Sequence, residues 1–275
     1  MSGILCDVPA SLVAKLRERS GRTDLSPSYL VRSALAEFLN TPLHTLFQVS
    51  TSRALVQGTY SGAVTCETLL AHGDFGLGTF EGLDGEMVVV DGAAYRATAA
   101  GQVTKACGDS AAPFAVVTRF SPTIEQELRS VSSLDELEKQ CDAHRRSDNL
   151  FYAFRIDGLF KNIETRAVSP PKNHGDLLAA ANSQREFKFS NVAGTLVGIY
   201  SPGFSDAFSI PGYHFHFISN DRTEGGHLLE VSGDALHLQG EELNDFHLVL
   251  PENEEFLKVD LDKDRTADLK KAESK

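Results

Sequence analysis

Apolar and polar positions follow two different rhythms along this chain, and the change comes near residue 42. Before it, Leu12, Val13 and Leu16, then Tyr29, Leu30, Ala34, Leu35, Phe38 and Leu39, recur at the three- and four-residue spacing of helices with one apolar face. The pattern predicts two helices parted at Gly21. The second is opened by Ser26 as N-cap with Pro27 at the first helical position, and closed by Thr41-Pro42. A short apolar run, Ile4 to Val8, precedes them and reads as a strand. From residue 46 the rhythm is that of strands, predicted at 46–50, 86–91, 114–120, 150–157, 163–168, 194–200, 213–218, 227–231 and 246–250. Helical pieces are fewer: 64–71, 132–144 with Leu134, Leu137 and Cys141 on one face, and 175–183. Runs of strands with occasional helices predict an α+β fold rather than a doubly wound sheet. Beyond Leu257 the chain is charged and reads as a solvated tail.

Composition narrows the class without naming a function. The 275 residues suffice for one large domain or two modest ones, each with its own core. Hydrophobic content of 41 % and charge of 23 % are those of an ordinary globular protein. No apolar stretch is long enough to span a bilayer, and the first residues lack the basic and apolar regions of a signal peptide, so a cytoplasmic location is expected. The cysteines Cys6, Cys66, Cys107 and Cys141 are scattered and are expected to be reduced thiols. A net charge of −12 weighs against nucleic acid or anionic membrane as a partner. It leaves room for a small anionic substrate met by a local cation.

The candidate chemistry is concentrated in Gly212-Tyr213-His214-Phe215-His216-Phe217, with Gly225-Gly226-His227 shortly after. Histidines two apart on a strand share a face, roughly 6.5–7 Å apart at Cα, which lets two imidazoles converge on one ion. The two glycines read as a turn that folds the chain back and brings His227 in as a third ligand. Three histidines leave coordination positions open, as in catalytic rather than structural metal sites. Spacing alone is equally that of ordinary strand histidines. Glu86 heads the apolar run Met87-Val88-Val89-Val90, where a carboxylate is costly unless paired or bound to metal; an exposed strand-end residue is the alternative. Arg166, in an alternating strand, suits a substrate carboxylate or a solvated surface equally well. The glycines of residues 73–86 lack the following helix that a dinucleotide site requires and instead suggest close backbone approach. His44, His72, His144, His174, His237 and His247 have no ligand spacing and read as structural or exposed.

These blocks together resemble a known family. Gln48-Val49-Ser50-Thr51, the GDFGLGTF and LDGE segments within 73–86, residues 150–160, Thr165-Arg166 and GYHFHF…GGH stand in the order and near-constant spacing of the acetolactate decarboxylases, from about residue 44 to 257. The resemblance implies zinc held by His214, His216 and His227, with Glu86, Thr79 and Arg166 as the other active-site positions and a tail glutamate, Glu273 by approximate spacing. It implies zinc-dependent decarboxylation of (S)-2-acetolactate to (R)-acetoin and CO2, and a homodimer. The expected architecture is an α+β, strand-rich catalytic domain of mixed sheets over residues 43–275, in subdomains of roughly 43–165 and 166–275. Residues 1–42 form a separate strand-helix-helix unit similar to the ribbon-helix-helix fold of small repressors. Lys15, Arg17, Arg19, Arg22 and Arg32 against Asp7, Glu18, Asp24 and Glu37 leave that unit only +1, so it reads as a dimerisation module ahead of a DNA reader. Two other functions fit parts of the pattern. A cupin-like metalloenzyme would share the paired strand histidines but normally carries a glutamate nearer to them than Glu224. A regulator with an N-terminal DNA-binding unit and a metal or metabolite sensor behind it would need a more basic first segment.

Overall fold

A computed structural model describes residues 6–23, 26–39, 44–170 and 184–262. Two helices head the chain, α1 (Ala10–Thr23) and α2 (Pro27–Phe38). Ser26 caps α2 as its sequence predicts, its hydroxyl accepting from the Tyr29 N–H at 3.1 Å. Gly21 does not end α1, which runs through it to Thr23. A single glycine costs a helix only about 1 kcal/mol relative to alanine, too little to stop it unaided. Of the expected first strand, Cys6–Val8 carry no regular structure and the earlier residues lie outside those described, as does the helix expected at 175–183.

The body is built from two sheets. The first contains β1 (Thr45–Val49), β3 (Phe75–Thr79), β4 (Glu86–Val90), β5 (Ala93–Ala97), β6 (Val103–Lys105), β8 (Phe114–Thr118) and β14 (Asp245–Val249), ordered β14-β1-β8-β3-β4-β5-β6. β14 lies parallel to β1 while the other neighbours are antiparallel, so the sheet is mixed. The second contains β9 (Ile124–Val131), β10 (Phe151–Ala167), β11 (Arg185–Ser201), β12 (Gly212–Ser219) and β13 (Gly225–Leu243). β10 bonds to both β11 and β13, which closes β10 to β13 into a small barrel, and β9 lies along the far half of β13. A side pair, β2 (Val64–Thr65) with β7 (Ala111–Ala112), and four short helices complete the body: α3 (Ser52–Val56), α4 (Cys66–His72), α5 (Leu134–Asp142) and α6 (Glu254–Lys258). The α+β class and the mixed sheets agree with the sequence.

β5, β6 and β9 stand where the sequence pattern predicts no strand, and three further details differ from it. The strands expected at 150–157 and 163–168 are one strand, β10, because the irregular pairings between Asp157 and Asn162 absorb the break without ending the ladder. The glycine-rich block at 73–86 holds a full strand, β3, whose glycines let β8 approach. A Cβ on Gly78 would lie 2.5 Å from the Phe114 carbonyl oxygen. Gly225 and Gly226 are not the turn but the start of β13; the chain reverses over 220–224, with Arg222 at φ +62°.

Alternation along the strands assigns each face. Leu77, Val88, Val90, Phe114 and Val116 of the first sheet pack against Val197, Ile199 and Ile218 of the second, forming the core between them. Phe154, Ile156, Phe160, Leu196, Phe215 and Phe217 fill the barrel, which α5 closes with Leu137 and Cys141. On the outer side of the first sheet, Met87, Val89, Ala115 and Val117 pack with Cys66 and Leu69 of α4. The odd residues of β12 therefore fill the barrel, and its even residues, His214 and His216 among them, face the first sheet.

Candidate metal centre and active site

Register brings the histidines together. On β12 and β13 His216 stands opposite His227, and on β13 and β10 His227 stands opposite Arg166, so the three lie in one cross-strand row. Directly opposed residues share a face of the sheet. His214 joins the row from two positions along β12. Gly226 makes the close packing of β13 and β10 feasible, since a Cβ there would meet the Arg166 carbonyl oxygen at 2.7 Å and its φ is +143°.

The imidazole nitrogens converge. His214 Nε2 lies 3.0 Å from His227 Nδ1 and 3.1 Å from His216 Nε2, and one nitrogen from each ring falls within 4.8 Å of the others. His216 is wholly buried, and its Nδ1 lies 2.8 Å from the backbone carbonyl oxygen of Met87. A carbonyl can only accept, so Nδ1 carries the proton and Nε2 turns its lone pair toward the cluster. Burial holds His214 down to a pKa of about 3, helped by the Arg166 cation. Burial likewise holds His216 well below the ordinary histidine value, with His214 and Arg166 adding to it against the Met87 carbonyl. Both are neutral at neutral pH, the form that ligates a metal. Three ring nitrogens converging on one point, two of them on rings held neutral and one oriented by a backbone acceptor, fit a metal ion in the way ordinary strand histidines have no reason to. Among the described residues this is the one cluster of at least three histidine, cysteine or acidic side chains with such convergence.

The first sheet supplies the opposite wall. Thr79 and Glu86 are paired across β3 and β4. Glu86 is 7 % exposed, so it is not the solvated strand end that its position in sequence allows. Its Oε1 accepts from the Val168 N–H at 3.2 Å and its Oε2 lies 3.7 Å from His216 Nε2. Thr79 is buried and donates its hydroxyl proton to the Gly85 carbonyl at 2.9 Å. Arg166 is buried too, with Nη2 3.3 Å from His227 Nε2. Thr79, Glu86, Arg166, His214 and His227, with His216 just behind, meet at a pocket whose remaining wall is mostly apolar, from Leu55, Leu83, Phe114, Val168 and Ile210, with Gly78 and the polar Gln184 completing it. Glu273 lies outside the described residues. Of the other histidines, His44 holds the buried Glu241 at 2.7 Å and His72 stacks on Phe47; none of the described ones lines the pocket, and His174 lies outside the described residues.

Sequence reasoning missed the apolar wall and the backbone anchor. Leu83 is buried and sits at φ +58°, a strained backbone for a branched side chain that also follows Gly82 at +69°. The LDGE segment hints at such a turn, but nothing in a residue type reveals that its leucine faces a pocket. The Met87 carbonyl has no sequence signal at all.

A polar cluster in a mostly apolar pocket, combining a cation, a carboxylate, a hydroxyl and a metal-ready triad, is equipped to bind a small oxygenated anion and to move charge within it. The family model for alpha-acetolactate decarboxylase matches residues 46–263. An alpha-acetolactate decarboxylase of Brevibacillus brevis is 36 % identical over 85 % of this chain and 82 % of its own length. One from Methanosarcina mazei is 36 % identical over 93 % and 88 %. The crystal structure of the Bacillus subtilis alpha-acetolactate decarboxylase superposes with a TM-score of 0.81 at 34 % identity, covering 84 % of this chain and all of that one.

Proposed function

This chain belongs to the alpha-acetolactate decarboxylase family, and from that membership we infer that it is a carboxy-lyase converting acetolactate to acetoin and CO2 with zinc at His214, His216 and His227. The observation that carries the reading is the convergence of ring nitrogens from His214, His216 and His227, the first two held neutral by burial, beside the Glu86 carboxylate and the Arg166 guanidinium.

Acetolactate bears a carboxylate and a hydroxyl on C2 and a ketone on C3. Decarboxylation breaks the bond between C1 and C2 and leaves its electron pair on C2, conjugated with the ketone. A bound zinc ion supplies Lewis acidity toward the substrate oxygens. Arg166 takes the carboxylate. Its planar fork can hold both oxygens and fix the angle of the breaking bond to the ketone plane, which sets how well the electron pair overlaps as it forms. The Thr79 hydroxyl, its proton given to the Gly85 carbonyl, can accept from the substrate hydroxyl in the same pocket. Glu86, desolvated and held by the Val168 N–H, is the group placed to carry the proton that C2 needs. Delivery from one fixed carboxylate to one face yields a single enantiomer, (R)-acetoin from (S)-2-acetolactate. The apolar wall excludes water and seats the alkyl groups. Glu273 is proposed as a second acidic group from the tail. The enzyme is read as cytoplasmic, and no helix among the described residues is long and apolar enough to cross a membrane.

The test is acetoin formation from racemic acetolactate by the purified protein, before chelation, after it, and after zinc is returned. Activity lost on chelation and restored by zinc supports both reaction and metal. No acetoin from folded, zinc-loaded protein would refute the assignment.

A further inference from the structure

The N-terminal helices present an apolar surface that no other described residue covers. Neither α1 nor α2 contains a buried residue. Val13, Leu16 and Leu30 are half-buried in the helical pair, yet Val31, Leu35 and Phe38 form a second stripe at i, i+4 and i+7 that stands open, 43 %, 53 % and 85 % exposed. Leu12 and Leu39 add to it at 57 % and 64 %. These are the features of half of a core. Helices of 14 and 12 residues are marginal in water by themselves, and two helices cannot enclose an interior between them.

We propose that this stripe is an association surface for the same stripe of a second copy of this chain, so that two helical pairs form one four-helix core. Three arguments favour a second copy over another partner. The open side chains present on the order of 600 Å² of apolar surface per chain, close to the ~800 Å² per partner of a stable association. Two such helical pairs have the number of helices of a four-helix bundle, and a twofold axis supplies the missing two at no cost in sequence. The unit's charge is nearly balanced, at +1 over residues 1–42, which leaves no strong field for a phosphate backbone and little self-repulsion. The inference is independent of the reaction assigned above, and it places one dimer contact outside the catalytic body.

Cys6, exposed and just ahead of α1, gives a native handle. Cys66 and Cys141 are buried, so Cys107→Ser leaves Cys6 as the accessible thiol. A flexible bismaleimide should then link full-length chains in pairs on a denaturing gel. Leu35→Asp with Phe38→Asp should reduce that product at least tenfold, while Lys15→Glu, on the polar side of α1, leaves it unchanged. Hydrogen exchange on the same proteins gives a second readout: amides of 10–23 and 27–38 should be protected in the parent and exchange freely in the double variant. None of these residues lies near the pocket, so acetoin formation should be retained. Cross-linking that survives the double variant, or helices equally protected in it, would overturn the proposal. So would a parent whose helices are unprotected until duplex DNA is added, an outcome that would make nucleic acid the partner.

Discussion

Removing His216 tests the metal assignment without any substrate. In the intact protein, metal held at 100 times its dissociation constant adds ~2.7 kcal/mol to stability. For a body of this size each kcal/mol moves the melting temperature by roughly 2–4 °C, so chelation should lower Tm by about 5–11 °C. His216→Ala removes the one ligand that is fully buried and oriented by a backbone acceptor. It should cut metal content to background and leave a chelation shift below about 2 °C. The substitution also has a packing cost unrelated to metal. The Met87 carbonyl loses its donor inside the protein, about 1–3 kcal/mol, so the chelated variant should melt below the chelated parent. Calorimetry of both proteins with and without chelator separates the two effects, because packing shifts both variant curves and the ligand shifts only the parent's chelation step. Metal content after dialysis is read in parallel. Equal chelation shifts in parent and variant, or a full equivalent of metal retained by the variant, would refute the triad as the site.

Arg166→Lys keeps the charge but loses the fork; kcat/KM should fall about 10- to 150-fold, from 1.5–3 kcal/mol for a charge-assisted hydrogen bond, with metal content unchanged. A loss under threefold would argue that Arg166 does not hold the carboxylate. Gly78→Ala pushes a Cβ to 2.5 Å from the Phe114 carbonyl and 2.7 Å from the Ala115 Cα, both backbone. It should lower Tm by several degrees and impair the pocket through Thr79 beside it, and an unchanged Tm would mean β3 and β8 are looser than described. His44 has its pKa raised chiefly by its hydrogen bond to Glu241, against burial, with Glu242 adding to it and Arg32 opposing it. A raised histidine stabilises fully below its unfolded pKa of ~6.5 and loses that contribution as pH climbs through the folded value. His44→Gln should therefore cost on the order of 1 kcal/mol more at pH 6 than at pH 9, limited by solvent screening at a side chain 25 % exposed. Denaturant melts at the two pH values measure it, and equal costs would contradict the pairing.

The sequence discloses the clustering of the histidines because strand periodicity converts His214-Phe215-His216 directly into a shared face, and because aromatic residues at the odd positions announce a filled barrel on the other side. It discloses Glu86 as the anomaly at the head of a four-residue apolar run. It leaves Arg166 ambiguous, since an alternating strand reads alike whether its polar face meets water or a second sheet; only the packing of the two sheets decides. The length of β10 and β13 is hidden for a related reason. Residues such as Asp157, Lys161 and Asp234 look like strand ends, yet irregular pairings and ion pairs carry the ladder past them. Gly225-Gly226 misleads most, because glycine signals either a turn or a close approach, and here the neighbour is the Arg166 backbone.

The place of β14 bears on the order in which this protein assembles during synthesis. Every strand that carries a triad histidine lies within residues 212–243, and their barrel partners begin at Phe151, so the barrel is a contiguous stretch of chain. The first sheet, by contrast, begins at Thr45 and acquires the neighbour on the outer side of β1 only when Asp245–Val249 emerges, some 200 residues later. Until then β1 offers the ribosome's surroundings an unpaired apolar edge, with Leu46, Phe47 and Val49 destined for full burial. A nascent chain stalled or truncated before residue 245 would keep a formed barrel and an open sheet, and so would be more prone to aggregate than to lose its histidine cluster.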